Sequence, residues 1–141
     1  MAIRRYSTRL SGPLRDRIDI DLQVSRVSAS RAMGESTSAM TTSEARTRVS
    51  AARERAARRW RSTRWRRNAD IPGTWLRQGT LRLPATVRAP LDRALERGAL
   101  TLRGYDRVLR VAWTMADLGE LDRPGLEEVG RALHLRRGLP R

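Results

Sequence analysis

From Ile18 to Val24, aliphatic residues alternate with polar ones, Ile18, Ile20, Leu22 and Val24 against Asp19, Asp21 and Gln23, the period-two pattern of a half-buried strand. A lone strand can neither pair its backbone groups nor cover its apolar face, so this one is expected to join a sheet that other chain supplies. Beyond it the period changes. Thr41-Thr42-Ser43-Glu44 offers a helix-opening capping box, and Ala45, Val49, Ala52, Ala56 and Trp60 then share one helical face, predicting an amphipathic helix from Ala45 to about Trp65. A short helix is predicted from Pro72-Gly73 through Leu76, and a longer one from Pro84 to Arg97 closed by Gly98. The clearest helix runs from Thr101 to Leu118. It carries one stripe of Leu102, Tyr105, Leu109, Ala112 and Ala116 beside another of Val108, Val111, Met115 and Leu118, a wide apolar arc that suits the central helix of a bundle. A last helix opens near Asp122-Arg123-Pro124, uses Leu126, Val129 and Leu133 as its apolar face and stops at Gly138. The chain is therefore expected to be mainly α, with one strand at its start.

Composition narrows what these elements can do. Only 28 of 141 residues are Leu, Ile or Val, so the core is expected to be thin. All 30 basic residues are Arg, against 15 acids, for a net charge of +15. Absence of Lys excludes a phosphate-binding P-loop, whose glycine-rich turn needs an ammonium group, and absence of Cys excludes disulfides, thiol catalysis and cysteine zinc sites. Arg interrupts every apolar run, so no membrane span is expected, and Met1-Ala-Ile-Arg-Arg leads into no apolar leader. The sole histidine, His134, sits in the last turns of a helix, and the acids show no ligand spacing. Free-standing catalysis is not expected.

The arginine excess points in two directions. Clustered guanidinium groups bind nucleic acid by displacing counterions from phosphates, while Arg without Lys beside abundant Ala, Gly and Leu also follows from GC-rich codons. The charge is concentrated: between Arg46 and Arg67 lie ten Arg and one acid, Glu54. Arg53, Arg58, Arg59 and Arg61 of this helix are the candidate DNA contacts. No helix-turn-helix or aromatic-basic signature is evident beside them.

The segment Arg5-Tyr6-Ser7-Thr8-Arg9-Leu10-Ser11-Gly12-Pro13-Leu14-Arg15-Asp16-Arg17-Ile18-Asp19 resembles the Y-x-x-R-(I/L)-S-G-P-L-L-D-R-I-D stretch of Mg-chelatase-like AAA+ ATPases, in particular the ComM/YifB subgroup. Downstream, Gly34-Glu35-Ser36, the Arg46-x-Arg48-Val49-x-Ala51-Ala52-Arg53 run, Asn68-Ala69, and the Leu102-to-Ala112 helix with Met115-Ala116-Asp117-Leu118 are similar to motifs in the same order. The chain departs from the pattern at Arg15, Asp21 and Trp113, where the family usually has Leu, His and Arg.

The resemblance implies an AAA+ C-terminal helical lid bundle preceded by a single edge strand of an incomplete α/β core. Residues 1–27 are then the edge of the core, 28–42 a linker and 43–141 the lid. It also implies roles: Arg17 as an arginine finger acting in a neighbouring subunit, Asp16 as its supporting residue, and Arg103 as the sensor 2 arginine that reaches the nucleotide of its own subunit. The family's P-loop, Walker B acids and sensor 1 residue precede these motifs and have no counterpart in the 141 residues. ATP and Mg are accordingly expected in a parent assembly, a cytoplasmic homo-hexamer working on DNA, with none bound by this chain alone. The parent is expected to be an ATPase, but not this chain by itself. Two other readings stand beside this one: a stand-alone basic helical module that binds nucleic acid, and a module that only bridges subunits.

Overall fold

The computed structural model describes residues 17–22 and 40–137. Asp16, Val24, residues 28–39 of the expected linker and Gly138 lie outside the described residues. The capping box forms as the sequence predicts: the Thr41 side chain accepts from the Glu44 N–H at 3.2 Å, and the Glu44 carboxylate accepts from the Thr41 N–H at 2.7 Å. It opens α1, Thr42–Arg59. The helix ends some six residues before the expected limit near Trp65. Thr63 turns its hydroxyl back to the Trp60 carbonyl at 2.8 Å, a local side-chain bond that competes with helix continuation.

Four further helices follow: α2 Gly73–Arg77, α3 Ala85–Glu96, α4 Leu102–Leu118 and α5 Leu126–Arg137, with 3-10 turns at Asn68–Asp70 and Gly79–Leu81. Gly98, at φ 65°, closes α3 in the left-handed region that glycine enters without strain. At the end of α4 the left-handed residue is Glu120, at φ 61°, rather than the neighbouring Gly119. Its carboxylate pairs with Arg55 of α1 at 2.8 Å, which ties that turn to the first helix.

Helix α4 is the centre of the molecule and touches α1, α2, α3, α5 and the Asn68–Asp70 turn. Its first predicted stripe is buried at Tyr105, Leu109, Ala112 and Ala116, whereas Leu102 is 51% exposed. The second stripe is displaced. Val108 is buried, but Trp113 and Asp117 take the inward positions expected for Met115 and Leu118, which are only half-buried. The cause is the packing of α1 against this side of α4. Trp60, Ile71, Leu76, Leu83, Leu91 and Val129 complete the core from the other elements.

The contact between α1 and α4 is organised by a polar cluster. Asp117 is 1% exposed, and both of its carboxylate oxygens accept from the Arg59 guanidinium, NH1 to Oδ2 at 3.1 Å and NH2 to Oδ1. The Asn68 amide donates to the same carboxylate at 2.8 Å, and its carbonyl accepts from the Trp60 indole N–H at 3.0 Å. The Arg59 guanidinium lies 4.4 Å from the Trp113 ring centroid. A planar guanidinium can fork onto a carboxylate and stack on an indole together, whereas a lysine ammonium offers no such plane. A buried charge left alone is costly, so removing either partner should hurt more than the pair's net contribution.

No strand forms among the described residues. Residues 17–22, expected to open the edge strand, lie against the helices without a sheet partner, and Ile18, Ile20 and Leu22 are 42%, 43% and 65% exposed. This is the consequence of an alternating pattern that has no second strand to pair with.

Two predictions follow from this packing. Asp117→Ala should lower unfolding free energy by about 3–5 kcal/mol, because it strands the Arg59 charge, whereas Arg67→Ala, which breaks the solvent-screened pair with Asp70, should change stability far less. Urea denaturation of the two variants measures the difference, and equal losses would contradict the buried-pair account. The second concerns alkaline pH. Burial, and then the bond its hydroxyl donates to Asp92 at 2.7 Å, raise the Tyr105 phenol above its ordinary value of 10.0. The fold favours the neutral phenol, so this stabilisation is complete below about pH 10 and is lost as pH climbs through the higher folded value. With no Lys and no Cys in the chain, only Tyr6 and Tyr105 titrate between about pH 9 and 12. Tyr105→Phe should therefore flatten the alkaline decline in thermal stability, and phenolate absorbance should show one tyrosine titrating late.

Candidate functional site

Arg17 stands at the start of a segment pinned across α4 and α5. The Asp19 carboxylate pairs with the Arg107 guanidinium, the Arg136 guanidinium donates to the Ile18 carbonyl, and the Asp21 N–H donates to the Leu135 carbonyl at 2.7 Å. Arg17 itself is exposed and bonds to no described residue. The segment thus lies on the helices, where the resemblance implied an edge strand of the core.

Arg103 occupies the first turn of α4, just after the Thr101 cap, whose hydroxyl accepts from the Gly104 N–H at 3.0 Å. Its side chain too is exposed and without a bond to any described residue. Arg107 lies four residues on, one helical turn along the same face. The Asp19–Arg107 pair therefore brings the Arg17 segment to the face of α4 that carries Arg103.

The remaining charges nearby are committed to architecture. Asp106 pairs with Arg77, and its carboxylate covers the start of α2 so closely that a Cβ at Gly73 would meet Asp106 Oδ2 at 1.8 Å. Arg110 donates through Nε to the Ile71 carbonyl at 2.9 Å. Arg17 and Arg103 are thereby left free to meet an anion. Among the described residues neither is accompanied by a histidine or a nucleophile, His134 is exposed on α5, and no group of three or more acids or histidines could hold a metal ion. What such an arrangement can do chemically is stabilise negative charge brought to it.

The basic helix divides into an inner and an outer set. Arg59, expected among the DNA contacts, turns inward to Asp117, and Arg55 donates to the Asp117 carbonyl at 3.3 Å as well as pairing with Glu120. Arg53, Arg58 and Arg61 are exposed, with only a 4.0 Å approach of Arg58 to Glu54 among them. Arg67 is held by Asp70 at 2.8 Å, a contact that keeps the Asp70 carboxyl below its ordinary value.

One feature escaped the sequence. Trp65 and Trp75, ten positions apart, meet edge to face with ring centroids 4.7 Å apart, and the Arg64 guanidinium lies 5.6 Å from the Trp65 centroid. An aromatic-basic cluster exists after all. Its trace in the sequence was the run Arg64-Trp65-Arg66-Arg67, but its second ring arrives from α2 and is joined to it only by the fold.

A family model described as magnesium chelatase, subunit ChlI C-terminal, matches residues 39–136, and a second, described as magnesium chelatase, subunit ChlI, matches residues 1–32. The uncharacterized proteins Rv2897c of Mycobacterium tuberculosis and Mb2921c of Mycobacterium bovis are each 47% identical to this chain over 136 residues, which is 94% of this chain and 26% of theirs. The chain thus spans about a quarter of the length of the curated relatives it matches. No solved structure matches it at a significant level. No described helix is long and apolar enough to cross a membrane. Because the C-terminal model covers nearly all of the helical body assembled on α4, the chain belongs to the Mg-chelatase-like ChlI family of AAA+ proteins.

Proposed function

We propose that this chain is the C-terminal part of a cytoplasmic AAA+ ATPase of the ComM/YifB type. In this reading it supplies Arg17 as a finger to a neighbouring subunit and Arg103 as sensor 2 to its own subunit's nucleotide, within a homo-hexameric ring that acts on DNA. The observation that carries the reading is the state of these two arginines: each is exposed and unengaged while Arg77, Arg107 and Arg110 around them are bound. A guanidinium at a transferred phosphoryl group stabilises its developing charge, and in this reading the two arginines of one chain serve two nucleotides, Arg17 the neighbour's and Arg103 its own subunit's. Asp16 is assigned the supporting role beside Arg17.

ATP and its magnesium would be gripped by other parts of the parent protein, since this chain has no Lys for a P-loop and its described acids gather no metal site. The Asp19–Arg107 pair would tie the finger segment to the lid, so that the two arginines move as one body.

Substitution in the parent protein separates the roles. Arg17→Ala should lower ATP turnover by about 10³-fold with little change in ATP affinity, because a finger acts on the transition state, whereas Arg103→Ala should weaken nucleotide binding as well. Rings mixed from Arg17→Ala subunits and subunits lacking the parent's P-loop lysine should regain activity, since some interfaces then join an intact finger to an intact P-loop. Mixed rings that assemble but never hydrolyse ATP would overturn the trans assignment.

The DNA part of the reading rests on the outer face of α1 and the turn after it. Binding to duplex DNA should be independent of sequence and fall steeply with salt, and Arg53→Ala, Arg58→Ala and Arg61→Ala should each reduce the salt slope by about one. Arg59→Ala should instead destabilise the fold. Fluorescence anisotropy at several salt concentrations checks this, and affinity that is indifferent to salt would count against it.

A further inference from the structure

The Trp65–Trp75 pair presents chemistry that neither the finger nor the lid arginine uses. Trp75 is 48% exposed, while Trp60 and Trp113 are 1% and 2% exposed. An indole left half in water in the middle of a five-residue helix is poorly explained by packing alone, because the core beneath it is already closed by Leu76 and Ile71, which are 2% and 0% exposed. Trp65 braces it edge to face, with the planes at 78°, and so holds the second ring in a fixed orientation.

The charges around the pair have one sign. Residues 61–67 carry Arg61, Arg64, Arg66 and Arg67 and no acid, and residues 71–82 carry Arg77 and Arg82 and no acid. The acids that do lie beside these segments are engaged, Asp70 by Arg67 and Asp106 by Arg77. The Arg61 and Arg66 side chains are exposed and bond to no described residue, and the Arg64 guanidinium is occupied only with the Trp65 ring. An anchored, half-exposed indole bordered by free guanidinium groups matches the two requirements of single-strand recognition: a flat surface for a base and cations for the phosphates on either side. Duplex DNA can use the cations but not the ring, because its bases are stacked on one another.

We propose that Trp75, braced by Trp65, is a stacking platform for an unpaired base of single-stranded DNA, with Arg61, Arg64 and Arg66 taking the adjacent phosphates. The proposal rests on the DNA reading above and sharpens it to single strands at this place.

Three probes test it on the 141-residue chain: a thymidine oligonucleotide, an abasic oligonucleotide of equal length that keeps the phosphates and lacks the bases, and a duplex. Trp75→Ala should weaken binding of the thymidine strand roughly tenfold and leave the abasic strand and the duplex unchanged, while Trp75→Phe should retain most of the affinity. The thymidine strand should also quench tryptophan emission of the unaltered chain, and the abasic strand should not, a readout that survives even if Trp75→Ala fails to fold. Equal weakening of thymidine and abasic strands, or quenching by neither, would overturn the platform while leaving salt-dependent binding by the arginines intact. Absence of salt-dependent binding to any of the three would instead overturn the DNA reading itself, and the platform with it. Emission quenched only by addition of a partner protein would mark the ring as a protein contact and also sink the proposal.

Discussion

The buried Arg59–Asp117 pair is the constraint on which the rest of the arrangement depends. A carboxylate that is 1% exposed must be fully bonded, and Asp117 meets that demand with a forked guanidinium from α1 and an amide from Asn68. Satisfying one charge therefore fixes the rotation of α1, the place of the 3-10 turn and the end of α4 together. The indoles of Trp60 and Trp113 close around the same guanidinium at 5.9 and 4.4 Å, adding apolar area to an otherwise polar joint. In a chain with few aliphatic residues, such a joint supplies orientation that a larger core would supply by shape.

That constraint also sorts the chain's charge. Against 30 arginines, five of the 15 acids hold elements in place: Asp117 and Glu120 for α1, Asp106 for Arg77, Asp92 for Arg88 and Tyr105, and Asp19 for the N-terminal segment. Arginines left over project outward. The surface potential is thus a remainder after the architecture has taken its counter-ions, and it is concentrated where acids are missing, along the outer side of α1 and from Arg61 to Arg66. Long-range attraction of a polyanion follows from that remainder, while any preference among polyanions must come from something shaped, such as the Trp65–Trp75 pair.

In the proposed reading, as part of a longer AAA+ protein, the helical body is a holder for groups that act elsewhere. Among the described residues no histidine or nucleophile accompanies its exposed Arg17 and Arg103, so the contribution the proposed reading assigns to them is electrostatic placement. Pinning the Arg17 segment to α4 and α5 brings two otherwise distant arginines under the control of one rigid bundle. In the proposed reading each arginine acts only when its own nucleotide is brought to it, the neighbour's for Arg17 and its own subunit's for Arg103.

Much of the fold was legible in the sequence because its signals are local. The capping box at Thr41, Gly98 after α3 and the Thr101 cap act within a few residues, and the helical periods of α3 and α4 need no knowledge of neighbours. The ordered motifs around Arg17 and Arg103 likewise carry the resemblance to the family in the sequence itself. What remained hidden was long-range pairing. Arg59 reads as one more solvent-facing arginine until α4 brings Asp117 beneath it, 58 residues away. Trp113 and Asp117 take the inward positions that periodicity gave to Met115 and Leu118 because α1 packs on that side of α4. Trp65 and Trp75 become a pair only when the turn at Asn68 folds α2 back. The sequence by itself determined the helices, their caps and the surplus of positive charge, since these follow from short-range geometry and composition. Only the tertiary structure decided which arginines are bound and which are free, because a guanidinium's fate depends on whether a carboxylate distant in sequence arrives within hydrogen-bonding reach.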